Sequence, residues 1–197
     1  MDAIISASQL FIKVEMEKCD ITKGIQEVLM AKITLKGNVI NTNGALPKIG
    51  TQAPDFVLVD GELKEKKLAD FKGKRILLSF VPSLDTPTCS LSAQKFNDKI
   101  KGHPEAVAIV ISFDLPFAQK RVCGENVVPL SMMRGQACAR DYGVLIVDGP
   151  LAGLCARAIV VLDEGARVVY EELVPEIAQE PDYDKALEAL FKKAGGK

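Results

Sequence analysis

One histidine, no Cys-x-x-Cys pair and almost no net charge narrow what this sequence can do. Its 25 Lys and Arg balance 26 Asp and Glu to a formal charge of −1, which gives no basis for binding nucleic acid or an anionic membrane. No apolar run approaches the roughly 20 residues that cross a bilayer. A mildly apolar stretch, Ala3 to Ile12, follows Asp2, where a signal peptide would carry positive charge. These features predict a cytoplasmic protein. Five cysteines in 197 residues do not make a disulfide scaffold, and the odd count leaves at least one thiol without an intramolecular partner. Zinc needs clustered Cys and His ligands, and that clustering is missing, so neither metal nor other cofactor is expected. His103 sits in Lys101-Gly102-His103-Pro104, a turn-like segment that reads as a solvated loop. A reactive cysteine here has to be activated without histidine.

The cysteine in question is Cys89. The run Arg75 to Val81 has the length and continuous apolarity of a strand buried on both faces, and an amphipathic helix pattern with Ala93, Phe96 and Ile100 follows. Between them lies Pro82-Ser83-Leu84-Asp85-Thr86-Pro87-Thr88-Cys89. Thr86 suits the helix N-cap, its hydroxyl accepting from a first-turn amide, and Pro87 suits the first helical position. Cys89 then falls in the first turn, where free N–H groups and the helix dipole favour an anion. A thiol so placed ionises more readily, and the thiolate is the reactive form.

The length suits one well-buried domain, expected over residues 31–197, preceded by an extension over 1–30. The extension carries a weak helical pattern around Ile21 to Leu29 and an incidental Cys19. Met30 is a candidate native start, which would make the residues before it an artefact of start assignment. An oligomerisation or targeting arm is the functional alternative. Ala31 to Ile40 reads as a β-hairpin around Gly37-Asn38. Asp55 to Val59 reads as a strand, Leu68 to Phe71 as a short helical turn, and Ala106 to Phe113 as a second buried strand. With the first buried strand and the Cys89 helix, that makes a parallel βαβ unit. Phe117 to Val122 is a short helix ending at Cys123-Gly124, and Val127 to Leu130 a strand. Cys138 to Tyr142 is a helical turn stopped by Gly143. Arg157 to Leu162 and Arg167 to Leu173 form a hairpin through Asp163-Glu164-Gly165-Ala166. Tyr183 to Lys193 is a closing helix capped by Asp182. The order predicts an α/β protein with a thioredoxin-like fold: a central mixed sheet flanked by helices, with an N-terminal hairpin.

The spacing Pro82-x-x-x-Thr86-x-x-Cys89 resembles the peroxidatic-cysteine signature of the peroxiredoxins. Ser112-Phe113-Asp114-Leu115-Pro116-Phe117-Ala118-Gln119-Lys120-Arg121, Asp141-Tyr142-Gly143-Val144, Asp148-Gly149-Pro150-Leu151 and Glu180-Pro181-Asp182-Tyr183 resemble bacterial thiol peroxidases, the atypical two-cysteine branch. The resemblance runs from about Ile33 to Leu190. It implies a thiol-dependent peroxidase of hydrogen peroxide and small alkyl hydroperoxides, with Cys89 as the peroxidatic thiolate. It implies that Thr86 places its hydroxyl by the sulfur, or acts as a cap only. Pro82 shields the sulfur from water, or simply ends the strand. Arg157 matches the active-site arginine, a permanent cation for sulfur and peroxide oxygen. Cys123 matches the resolving cysteine, implying a Cys89–Cys123 disulfide, local unwinding around both cysteines, recycling by thioredoxin, and a homodimer. The segment Cys123 to Val127 is a few residues shorter than the usual family form. Cys138 and Cys155 match no functional cysteine, and Cys155 reads as a small buried hydrophobe. Two other readings remain: a general thiol–disulfide oxidoreductase, disfavoured because Ser90-Leu91-Ser92 follows Cys89, and a redox-sensing binding module using the same cysteine pair.

Overall fold

A computed structural model describes residues 30–192. The readings made for the extension, including its helical pattern and Cys19, lie outside those residues, as does the end of the closing helix at Lys193.

Three strands with almost no polar residue form the centre of a seven-stranded mixed sheet. They are β5 (Arg75–Phe80), β6 (Ala106–Ser112) and β8 (Ala158–Leu162), and every residue in them is buried. Helix α1 (Pro87–Ile100) connects β5 to β6, which pair in parallel from Arg75 with Ala106 to Phe80 with Ile111. β8 runs antiparallel on the other side of β5. Outward lie β7 (Val127–Ser131) and β3 (Val57–Val59) on one side, and β9 (Val168–Leu173) on the other. The outermost strand, β4 (Glu65–Lys67), beside β3, was not expected from the sequence. Its Glu65-Lys66-Lys67 is polar because an edge strand needs no second buried face. The expected strand from Asp55 begins two residues late, since the Phe56 N–H bonds the Asp55 carboxylate (2.8 Å) rather than a neighbouring strand. The Leu68–Phe71 turn is present as a 3-10 helix.

The period-2 alternation of the central strands divides the core between the two faces of the sheet. Ile76, Leu78, Phe80, Ile109, Ile111, Val160 and Leu162 face one way, with Cys138, Tyr142 and Cys155 in the same cluster. Leu77, Val81, Ala108, Val110, Ile159 and Val161 face the other. There they pack on Ala93, Phe96 and Ile100 of α1 and on Ala186, Leu187 and Leu190 of α4 (Tyr183–Phe191). The Asp182 carboxylate caps α4 by accepting from the Lys185 N–H (3.1 Å). Arg75 ties its end to β5, donating to the Leu190 and Ala189 carbonyls at 2.6 and 2.9 Å.

The N-terminal hairpin forms a separate two-stranded sheet of β1 (Lys32–Leu35) and β2 (Asn38–Asn41). Its turn is Lys36-Gly37, with φ of 52° and 80°, one residue earlier than expected, because Gly37 supplies the second left-handed position. Ile33 and Ile40 plug it into the first face of the core. The remaining helices are α2 (Pro116–Val122) and α3 (Ala137–Asp141). Among the described residues no helix is long and apolar enough to cross a membrane.

Candidate active site

The C-terminal ends of β5 and β6 meet at the start of α1, and that junction sets the site. After Phe80 the chain leaves the sheet through Val81 and a buried Pro82, then turns so that the Thr86 N–H bonds the Ser83 carbonyl (3.1 Å). Thr86 is the N-cap residue and Pro87 the first helical residue, as the sequence predicts. The capping bond itself is not made. The Thr86 hydroxyl instead donates to the Ser83 carbonyl (2.9 Å), an acceptor that the turn brings within reach.

Cys89 lies in the first turn with none of its surface exposed. Arg157, immediately before β8 and 2% exposed, donates from Nη2 to Cys89 Sγ at 3.3 Å. Its Nε donates to the Ile177 carbonyl (3.1 Å), which fixes the guanidinium plane. Nη1 is buried with no hydrogen-bond partner. The structure therefore brings Cys89, Arg157, Thr86 and Pro82 to one end of the sheet, with a cation on the sulfur and an unused donor beside it.

The loop carrying Ile177 is held from two sides. The Thr88 hydroxyl of α1 donates to the Ala178 carbonyl (3.4 Å). Glu176 accepts from the Gly37 and Lys36 amides (both 3.0 Å), the Thr34 hydroxyl (2.8 Å) and the Ala178 amide (3.3 Å). These donors, the Gly37 amide foremost, hold the Glu176 carboxyl down at about 2, and they anchor the hairpin beside the arginine's acceptor.

Cys123 is the C-cap of α2, which ends at Val122 as the sequence predicts. Its N–H caps the end of α2 by bonding the Gln119 carbonyl (3.0 Å). Its half-buried side chain joins the same apolar cluster as Cys89, and both thiols are free. Burial, and then the negative charge of Asp114, pushes the Cys123 thiol up to about 12. The following loop is pinned to α1. Asn97 Oδ1 accepts from the Asn126 N–H (2.9 Å), and its side chain fills the space that a Cβ at Gly124 would need. Cys138 and Cys155 belong to the cluster on the opposite face of the sheet. Burial foremost raises both, Cys138 to about 12.

His103 stands at the far end of α1, with Nδ1 3.1 Å from Glu105 and its ring against Phe191. Among the described residues no three His, Cys, Asp or Glu side chains converge as a metal site requires. Two contributors carried no assigned role in the sequence, Ile177 and Asp114. Ile177 acts through its carbonyl, which no side-chain pattern announces. Asp114 offered a signal in its position just past the C-terminal end of a buried strand, where this sheet carries its chemistry.

A mixed sheet with one first-turn cysteine, no second cysteine three residues on, and an arginine at a neighbouring strand is the peroxiredoxin variant of the thioredoxin-like class. Residues 48–187 match the Redoxin family model. A thiol peroxidase of Mycobacterium tuberculosis (strain ATCC 25618 / H37Rv) is 52% identical over 165 residues, which cover 82% of this chain and 99% of the relative. A solved peroxiredoxin-like protein from Aquifex aeolicus superposes with a TM-score of 0.77 at 40% identity, covering 82% of this chain and 97% of that one. A thiol peroxidase from Chromobacterium violaceum gives 0.74 at 26% identity, covering 81% and 94%. The chain belongs to the Redoxin family and, within it, to the thiol peroxidases.

Proposed function

We propose that the protein is a thiol-dependent peroxidase of hydrogen peroxide and small alkyl hydroperoxides, with Cys89 as nucleophile. The observation that carries this reading is the Arg157 guanidinium, which bonds the buried sulfur through Nη2 and keeps Nη1 unpartnered beside it. In the proposed reaction the Cys89 thiolate attacks the distal oxygen of the hydroperoxide and the O–O bond breaks. The leaving alkoxide or hydroxide takes up a proton, giving alcohol or water and a Cys89 sulfenic acid. Arg157 Nη1 is the donor available to the oxygen on which charge develops. In this scheme buried Pro82 serves to keep water from the sulfur, and Thr86 is held in the turn from which its hydroxyl can also meet the peroxide.

Cys123 is the resolving residue in this scheme. Its sulfur bonds the Cys89 sulfur, the S–O bond breaks, and the departing hydroxide leaves as water with the Cys123 proton. A disulfide requires Cα atoms within about 7 Å. The scheme includes local loosening of the buried Cys89 turn and the pinned Cys123 loop, whose thiols are both free in the structure. A dithiol protein of the thioredoxin type then restores both thiols by exchange. Exposed Leu91, Leu115 and Phe117 supply apolar surface for protein contacts, in keeping with a homodimer. A cytoplasmic location suits four free cysteines. Residues 31–197 serve as the single catalytic domain and 1–30 as an addition to it.

The test is peroxide consumption with thioredoxin, thioredoxin reductase and NADPH. Cys89→Ser should abolish turnover. Cys123→Ser should still consume one equivalent of peroxide but fail to cycle with thioredoxin. Turnover by Cys89→Ser refutes the nucleophile, and normal cycling by Cys123→Ser refutes the resolving role.

A further inference from the structure

Asp114 follows β6 and faces the Cys89 loop across the sheet end. Its Oδ1 accepts from the Ser83 hydroxyl (2.7 Å), and its Oδ2 accepts from the Leu84 N–H (2.7 Å) and the Ser112 hydroxyl (2.8 Å). Its own carbonyl accepts from the buried Ser131 hydroxyl (2.6 Å). The network continues into α2. Buried Gln119 donates from Nε2 to Ser112 Oγ (2.9 Å) and to the Leu130 carbonyl (3.0 Å), and its backbone carbonyl takes the Cys123 N–H. A single carboxylate thus joins the turn that presents Cys89 to the helix that ends at Cys123.

We propose that Asp114 is a positioning residue that latches the Ser83-Leu84 turn, and that its release gates passage of the Cys89 sulfenic acid to the Cys123 disulfide. The proposal rests on the assignment of Cys89 as peroxidatic and Cys123 as resolving. Ser83 is the pivot of the Cys89 turn, because its carbonyl takes both the Thr86 amide and the Thr86 hydroxyl, and its hydroxyl takes the Asp85 N–H (3.2 Å). With Ser83 and Leu84 held, Cys89 stays fully buried against Arg157. That geometry suits attack on a small peroxide. It does not suit a second thiol, which needs the sulfenic sulfur delivered outside. Charge-assisted bonds to a carboxylate are the strong ones in a turn otherwise closed by neutral bonds, so they set how often it opens. The latch therefore has opposite effects on the two chemical steps, favouring the first and retarding the second.

Asp114→Ala tests this, with Ser83→Ala as a milder variant that removes one of the three carboxylate bonds and leaves the others. Each reduced protein is mixed with hydrogen peroxide, quenched with acid and alkylating agent on the millisecond scale, and read by intact mass. The chain has no tryptophan, so this replaces fluorescence. Loss of the latch should slow sulfenic acid formation and speed its conversion to disulfide, each about tenfold for Asp114→Ala and less for Ser83→Ala. The sulfinic acid formed at excess peroxide should fall, because resolution then outruns the second oxidation. A general loss of structure would slow both steps together, and that result, or unchanged partition in both variants, overturns the latch. Peptide mapping of the wild type separates the two assignments. Absence of a Cys89–Cys123 disulfide refutes the underlying reading, while its presence with unchanged partition refutes the latch alone.

Discussion

Replacing Arg157 by lysine keeps the charge and removes the geometry, and the site makes the difference measurable. The guanidinium presents three donors from one plane: Nε to the Ile177 carbonyl at 3.1 Å, Nη2 to Cys89 Sγ at 3.3 Å, and a buried, unpartnered Nη1. A lysine ammonium is a single point that cannot span all three. Hydrogen bonds involving a charged partner are worth about 1.5–3 kcal/mol. Losing one of the two reaction-side donors at about 1.4 kcal/mol per factor of ten slows attack roughly 10- to 100-fold. Arg157→Met, which removes both donors and the charge, should cost about another factor of ten or more. The assay is the second-order rate of Cys89 oxidation by hydrogen peroxide under rapid quench, with thermal melts to check folding. Arg157→Lys oxidising within threefold of the wild type, in a folded protein, would refute the role given to the fork.

Two further outcomes follow from the shifted groups. Glu176 is held at about 2, below its ordinary 4.5, so its folded pKa is depressed. Its contribution to stability is then present above pH 4.5 and lost as the pH falls toward 2. Wild-type melting temperature should drop across that window more steeply than that of Glu176→Gln, and parallel curves would contradict the anchoring role. Cys123, pushed to about 12 chiefly by burial, is a neutral thiol at pH 8, so iodoacetamide should modify it at least tenfold more slowly in native protein than in urea. Equal rates would mean that the Cys123 segment is open before any oxidation.

What the sequence made legible was what it states redundantly. β5 and β6 announce themselves because a strand covered on both faces has no reason to carry polar residues, and the Pro87 and Cys89 positions follow from helix-start chemistry. β4 was hidden because an edge strand of Glu65-Lys66-Lys67 looks like a solvated loop. The Thr86 hydroxyl was assigned the wrong bond because cap propensity records the residue and not the acceptor that the turn brings near. Arg157 could be singled out only through family resemblance, since burial of a lone guanidinium depends on long-range pairing of β8 with β5. Cys155 instead bridges Leu145 and packs in the cluster on the other face of the sheet from Cys89, which a two-residue spacing from Arg157 did not reveal.

The single histidine ties these observations together. Arg157 is nearly as buried as the core leucines, and no ion pair to a carboxylate accompanies it among the described residues. Burying a cation with no carboxylate in direct contact is costly. The Arg157 hydrogen bonds go to a backbone carbonyl and a sulfur, and its charge is also felt at the Glu180 carboxylate, which Lys95 chiefly and Arg157 in addition hold below the usual range. A histidine base would remove the Cys89 proton and become charged itself, requiring a further partner such as a carboxylate. In the proposed reaction an arginine supplies a fixed cation without itself taking the thiol proton. The sheet, the Ile177 loop and the Glu176-anchored hairpin together hold the guanidinium beside Cys89.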